Sequence, residues 1–409
     1  MAFTPDLRKS RMLDIEVDIA VIGAGIIGSA CADELAGLGF KVALIDRSEP
    51  ATGTSGACDG YISTSTKVPG ITLELAVESQ RLWRDLAAGI GRDIGYSQPG
   101  GLMIAETEID PSALERQAEK LRAAGVVAEL RDRPGLLALE PNFGPRVHAA
   151  LYCPGEAHVS GYAATQALAA RAVERGARVF WRSAMAPIEM SSDRLLRVEL
   201  TSGGEKIRVA AEQWVLAAGL GSRAIGEQLG LPLPIEPRRG DLVVTERMAR
   251  PLVGRFCASA HYLVAKGNPE LAATSEDPRE RLGYGFIVEP TAEGQLLLGS
   301  TRIFRDGDRS GDIDVTRMIV EEAVARLPAL AGVAVLRGFA GSRPFVPDRK
   351  PIIGKSRKKT NLLVATGHEG DGITLAPITA RLIGELAREQ PLSMSLDNLS
   401  VDRFCSDPS

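Results

Sequence analysis

The chain has 409 residues, 44% of them hydrophobic and 24% charged, with a formal net charge of −4. That length accommodates two or three domain-sized units, and the mildly acidic balance without a long basic run argues against nucleic acid as the main partner. No stretch of about 20 apolar residues occurs, which excludes a transmembrane helix and direct membrane insertion.

Five cysteines, Cys31, Cys58, Cys153, Cys257 and Cys405, are scattered without C-x-x-C spacing, so neither a disulfide framework nor a zinc site follows. His148, His158 and His261 have no metal-ligand spacing, and no metal is expected. A sparse, odd set of cysteines and a polar start without an apolar h-region suit a cytoplasmic protein.

The first element is an apolar strand through Ile19–Ile22 that runs into Gly23, Gly25 and Gly28 and then a helix from Ser29. Gly23 permits a tight turn, Gly25 lets a pyrophosphate approach the backbone, and Gly28 lets helix and strand pack closely. The helix N-terminus adds free N–H groups and a positive dipole. A second strand, Lys41–Ile45, ends in Asp46, where a carboxylate accepts ribose hydroxyls. The β-α-β start is therefore a dinucleotide site, with NAD and FAD both still open.

From Thr72 to about Ala124 the apolar spacing is helical, interrupted by a strand at Leu102–Ala105. Thr165–Arg175 reads as a helix, Arg178–Trp181 as a strand, and 194–217 as a hairpin turning at Ser202-Gly203-Gly204. Its second strand ends in small residues and Gly219, so that backbone can touch a cofactor. Strand-like runs at Leu242–Thr245, Tyr284–Glu289 and Gln295–Gly299 predict an antiparallel sheet in a second domain, followed by a helix at Val315–Leu327.

Glycine-rich loops then return at Gly341–Asp348 and Pro351–Gly354, and a strand at Asn361–Ala365 leads into Gly367-His368-Glu369-Gly370-Asp371-Gly372-Ile373 and a last helix. This second strand-to-helix turn offers another helix dipole to negative charge. The basic run Lys355–Lys359 between two strands reads as a solvated turn. Tyr262 and Tyr284 read as packed sheet residues.

Together these motifs resemble the D-amino acid oxidase superfamily of FAD-dependent amine oxidoreductases, from about Asp18 to Leu386. Thr54–Gly60, Thr66–Gly70 and the Gly367–Gly370 turn are similar to the flavin subunits of heteromeric opine, D-hydroxyproline and hydrogen-cyanide-forming glycine dehydrogenases. The resemblance implies an α/β fold: an FAD-binding Rossmann-like domain of the glutathione-reductase type (15–70, 155–230 and 335–400) carrying an inserted antiparallel-sheet α+β substrate domain (71–154 and 231–334).

It also implies roles. Gly23, Gly25, Ile27, Gly28 and Asp46 would bind the ADP half of FAD, with Arg47 beside the ribose and Met185 at adenine. Thr54 and Ser55 would touch the pyrophosphate and flavin side, and Ala218, Gly219 and Gly341 would lie against the cofactor. Gly370, Asp371, Gly372 and Ile373 would contact the ring and ribityl chain. Arg343 matches the arginine of a G-x-R-P motif that clamps a substrate carboxylate, a task suited to a forked guanidinium; the alternative is an arginine bridging acidic groups on a loop.

His368 and Glu369 are further catalytic candidates, the first otherwise a loop residue and the second otherwise solvent-facing. The flavin is expected to be non-covalent, because Gly341-Ser342-Arg343 lacks the cysteine that carries it in monomeric sarcosine oxidases. The implied activity is oxidation of the C–N bond of an amino acid substrate (opine, D-hydroxyproline or glycine-like) within a complex that has a partner flavoprotein and iron–sulfur subunits. A self-contained oxidase, an electron-relay subunit and an NAD-dependent dehydrogenase are the alternatives.

Overall fold

The computed structural model describes residues 12–106, 112–203, 205–267, 274–305 and 309–405. The strand Leu13–Ile22 alternates exposed and buried residues in its first half and is buried on both faces in its last four. That is the pattern of a strand entering the middle of a parallel sheet. It pairs in parallel with Val42–Ile45 on one side and Glu205–Leu216 on the other, and Leu362–Thr366 extends the parallel core beyond Glu205–Leu216. The register aligns Ile22 with Ile45 and Leu216, and Leu216 with Val364. Four strands therefore release their following turns at one sheet edge, where open α/β sheets bind ligands.

The helix Ile26–Gly37 is rich in small residues and packs against both Gly161–Glu174 and Gly372–Ala387. A Cβ on Gly28 would overlap the Gly23 carbonyl, so the close helix–strand contact requires glycine there. The expected hairpin is present as Leu195–Ser202 and Glu205–Leu216, with Gly204 of its turn outside the described residues.

The second sheet has eight strands in the order 335–345, 236–245, 296–299, 287–290, 256–259, 101–106, 147–153 and 129–131. It departs from the all-antiparallel expectation at one place: Phe256–Ser259 runs parallel to Gly101–Glu106. The helix Ile313–Arg326 buries Val315, Ile319 and Ala323 against this sheet's Val243, Val288 and Leu298.

Two elements cross the expected domain boundaries. Val335–Phe345, read from sequence as the glycine-rich opening of the last cofactor-domain segment, is an eleven-residue strand of the second sheet, opposite Glu236–Thr245. Its glycines serve close approach, since a Cβ on Gly338 would strike the Thr316 hydroxyl and one on Gly341 the Ala57 carbonyl. The helix Ile71–Gly89, assigned from sequence to the inserted domain, buries Leu75, Ala76, Leu82 and Trp83 in the core of the first. Tyr262 is also not a sheet residue; it lies in the short helix His261–Gly267.

Candidate functional site

Gly23 has φ +108, and a Cβ there would run into the Ala217 carbonyl. The turn it permits aims the Ala24 N–H at Asp46 Oδ2 (2.6 Å), while Asp46 Oδ1 accepts the Ser48 N–H (2.8 Å). Asp46 is thereby fixed at the strand end with part of its carboxylate still turned outward. The Ile26 N–H, in the first turn of the helix, donates to Ser55 Oγ at 2.9 Å, and the Thr54 hydroxyl donates to the Ser342 carbonyl at 2.6 Å. The 54–57 loop thus links the first helix to the second sheet.

These groups line one cleft of about 630 Å³. Its wall includes Gly23, Gly25, Ile27, Asp46, Arg47, Thr54, Ser55, Met185, Ala218, Gly219 and Gly341, together with Arg343, His368, Glu369, Gly370, Gly372 and Ile373. Two candidates are not on its wall. Gly28 faces the strand beneath, and the Asp371 carboxylate turns away to bind Lys67 Nζ (2.7 Å) and Lys266 Nζ (2.8 Å). Burial alone would raise the Asp371 carboxyl, but these two ammonium groups hold it well below the usual carboxylate range.

Ionisable groups concentrate around Arg343. Arg343 projects across Gly240, donates to the Thr301 carbonyl at 3.1 Å, and packs its stem near Gly370. Opposite it on the neighbouring strand stands Arg238, 1% exposed, whose Nη1 reaches Glu369 Oε1 at 3.4 Å. Burial pushes the Arg238 guanidinium down to about 10, which leaves it charged at neutral pH. Burial would raise the Glu369 carboxyl too, but Arg343, Lys266 and Arg238 outweigh it and keep the group ionised. Glu369 sits at φ +48, with Oε2 accepting the Gly370 N–H.

His368 is different. Its Nε2 contacts Thr379 Oγ1 at 3.0 Å inside the last helix, and burial pushes the imidazole down to about 4, so the ring is neutral at physiological pH. On the opposite side, Glu289 accepts the Gly60 N–H with both oxygens, and burial beside Asp59 pushes its carboxyl well above the usual range.

Sequence reasoning passed over Arg238, Arg302, Lys67, Lys266 and Glu289. The signal for the first was available: Arg238-Arg239 interrupts an otherwise strand-like run just before Gly240.

An elongated flavin dinucleotide fits this cleft. A Cβ on Gly219 would meet nothing within 4 Å, and one on Gly25 only the Ser55 hydroxyl, so both backbones face open space. The parallel sheet, its two glycine turns and the joint cleft define a two-domain flavoprotein. A family model described as FAD dependent oxidoreductase (DAO) matches residues 18–386, and the chain belongs to that family.

Similar proteins include glycine oxidase of Geobacillus kaustophilus, 27% identical over 393 residues that cover 94% of this chain and 97% of that protein. Hydrogen cyanide synthase subunit HcnC of Pseudomonas aeruginosa is 24% identical over 435 residues, with 96% and 97% covered. The crystal structure of the Geobacillus glycine oxidase superposes with a TM-score of 0.82 at 25% identity, covering 96% of this chain and all of that one. The chain is accordingly an oxidoreductase with non-covalent FAD as its cofactor. No described helix is long and apolar enough to cross a membrane.

Proposed function

We propose that this chain oxidises the C–N bond of an amino acid or secondary-amine amino acid to the imine, as the catalytic subunit of a cytoplasmic heteromeric dehydrogenase. The observation that carries the reading is Arg343. It lines the same cleft as both glycine turns, and among the described residues no carboxylate lies within ion-pair distance of it.

Bound FAD supplies the two-electron acceptor for the hydride. The chain's own groups orient the substrate. Arg343 takes the carboxylate through a forked pair of hydrogen bonds, and the ionised Glu369 accepts an N–H of the substrate nitrogen. The substrate carbon loses hydride and its nitrogen a proton, giving C=N, which water then hydrolyses to a carbonyl compound and an amine. His368, neutral and turned to Thr379, acts by fixing the turn.

The similarity over nearly the full length to HcnC, a synthase subunit by name, supports a role within a complex; the partners we assign to it are a second flavoprotein and an iron–sulfur subunit. The similarity to glycine oxidases favours a second reading, a self-contained oxidase. Aerobic turnover of the purified chain distinguishes them. The dehydrogenase reduces an artificial dye with little hydrogen peroxide, whereas stoichiometric peroxide from the chain alone establishes the oxidase.

A further inference from the structure

Among the described residues three arginines line the cleft, Arg47, Arg309 and Arg343. Arg47 follows Asp46 at the end of a strand of the first sheet, and Arg343 is assigned above to the substrate. Arg309 is unassigned, and it comes from the segment that the sequence gives to the substrate domain. Among the described residues it forms no ion pair.

Its position is fixed from both domains. The Arg309 carbonyl accepts the Ala340 N–H at 3.0 Å and the Ser310 carbonyl accepts Arg239 Nη2 at 2.7 Å, which seats the backbone on the paired strands Val335–Phe345 and Glu236–Thr245. The guanidinium crosses to the first domain and donates to the Thr52 carbonyl. Thr52, Gly53, Thr54 and Ser55 all line the cleft. This short loop ends on Ser55, whose hydroxyl accepts the Ile26 N–H in the first turn of the helix Ile26–Gly37. Arg309 and that helix N-terminus therefore bear on one loop from opposite sides.

Such a juxtaposition suits a diphosphate. The helix N-terminus offers N–H groups and the positive end of a dipole, but no full charge. A dinucleotide diphosphate is a dianion, and among the described residues Arg47 is the only cation that the first sheet and its turns bring to this wall. A Cβ on Gly53 would meet nothing within 4 Å, so the loop leaves open space there. The guanidinium fork matches phosphate oxygens, and the Thr52 carbonyl occupies only part of it.

We propose that Arg309 binds the diphosphate of FAD, so that the substrate domain supplies counter-charge to the cofactor and flavin binding spans both domains. The inference concerns the cofactor and holds whichever amine is oxidised.

The test compares FAD-loaded wild type with Arg309→Gln and Arg309→Lys; Arg309 is exposed, so neither change disturbs the core. Each protein is diluted at low and at high ionic strength, and the fluorescence of released FAD gives Kd. Glutamine keeps an N–H donor for the Thr52 carbonyl but carries no charge, whereas lysine keeps both. Arg309→Gln is expected to raise the Kd for FAD roughly 10-fold at low salt, the scale of one hydrogen bond to a charged group, and the gap is expected to narrow at high salt. Arg309→Lys should fall between wild type and Arg309→Gln, because it keeps the charge and loses the fork. A Kd in Arg309→Gln equal to that of wild type would show that Arg309 only ties down the Thr52 loop, and overturns the proposal. A loss that salt leaves unchanged, or a lysine variant no better than the glutamine one, overturns it as well.

Discussion

The indole Nε1 of Trp83 donates to the Ile373 carbonyl at 2.9 Å, the acceptor that Pro377 cannot serve. In the helix Gly372–Ala387 that carbonyl would receive the N–H four residues on, and proline has none. Ser79 repairs the next position: its hydroxyl donates to the Thr374 carbonyl at 2.6 Å and accepts the Ile378 N–H at 3.4 Å. The helix Ile71–Gly89 thus completes the backbone of the turn that closes the cleft.

Trp83→Phe keeps an aromatic ring but removes the indole N–H with its pyrrole ring and strands a buried carbonyl. It is expected to cost about 1–3 kcal/mol of stability and to weaken FAD retention, because Ile373 lines the cleft. Pro377→Ala restores an N–H at the right place and should recover part of the loss in the Trp83→Phe background. A double-mutant cycle on denaturation midpoints measures this coupling, and simple additivity contradicts it.

Arg343→Lys keeps charge but loses the fork, so its kcat/KM should fall between those of wild type and Arg343→Ala, with flavin content near normal in both. Unchanged kcat/KM in Arg343→Ala, or loss of FAD as the sole defect, removes Arg343 from substrate binding.

Asp46→Ala is expected to weaken FAD binding by about 10- to 100-fold, since it deletes a carboxylate both from the ribose side and from the Ala24 amide. Titration of apoprotein with FAD reads this directly. Substrate preference should not change once the variant is saturated with FAD, and a changed preference would place Asp46 elsewhere than on the ADP half.

His368 makes stability depend on acid. Its imidazole takes a proton below about pH 6.5 when unfolded but only near about 4 when folded, so between these values the unfolded chain binds more protons. The stabilising effect is full above 6.5 and disappears as pH falls toward 4, a loss of about 3 kcal/mol. His368→Gln should flatten the pH dependence of denaturation in that window. An identical slope in wild type and variant would show that the neutral ring is not the cause.

The cofactor half of the site was legible because its residues are contiguous in sequence: the turn from Gly23 to Gly28, Asp46 at a strand end, and the Gly367–Ile373 turn each carry their own pattern. The substrate half was not. Arg238, Arg302 and Lys266 come from a strand, a loop and a short helix, and only the pairing of Glu236–Thr245 with Val335–Phe345 brings the first beside Arg343. Asp371 was read as a cofactor contact from its place in a glycine turn; its carboxylate leaves the cleft because two lysines distant in sequence draw it away. Gly341 read as part of a loop, but in the strand it relieves crowding between packed layers, since a Cβ there would strike the Ala57 carbonyl.

The strand order of the first sheet also bears on how the protein is made. Leu13–Ile22 meets Glu205–Leu216 only after about half of the chain has been synthesised, and Leu362–Thr366 joins near the end. The nascent N-terminal turn therefore emerges from the ribosome long before the opposite wall of its cleft exists. Firm capture of flavin is consequently a late event in biogenesis, and chains released early would expose the apolar edge of Glu205–Leu216 to chaperones and proteases.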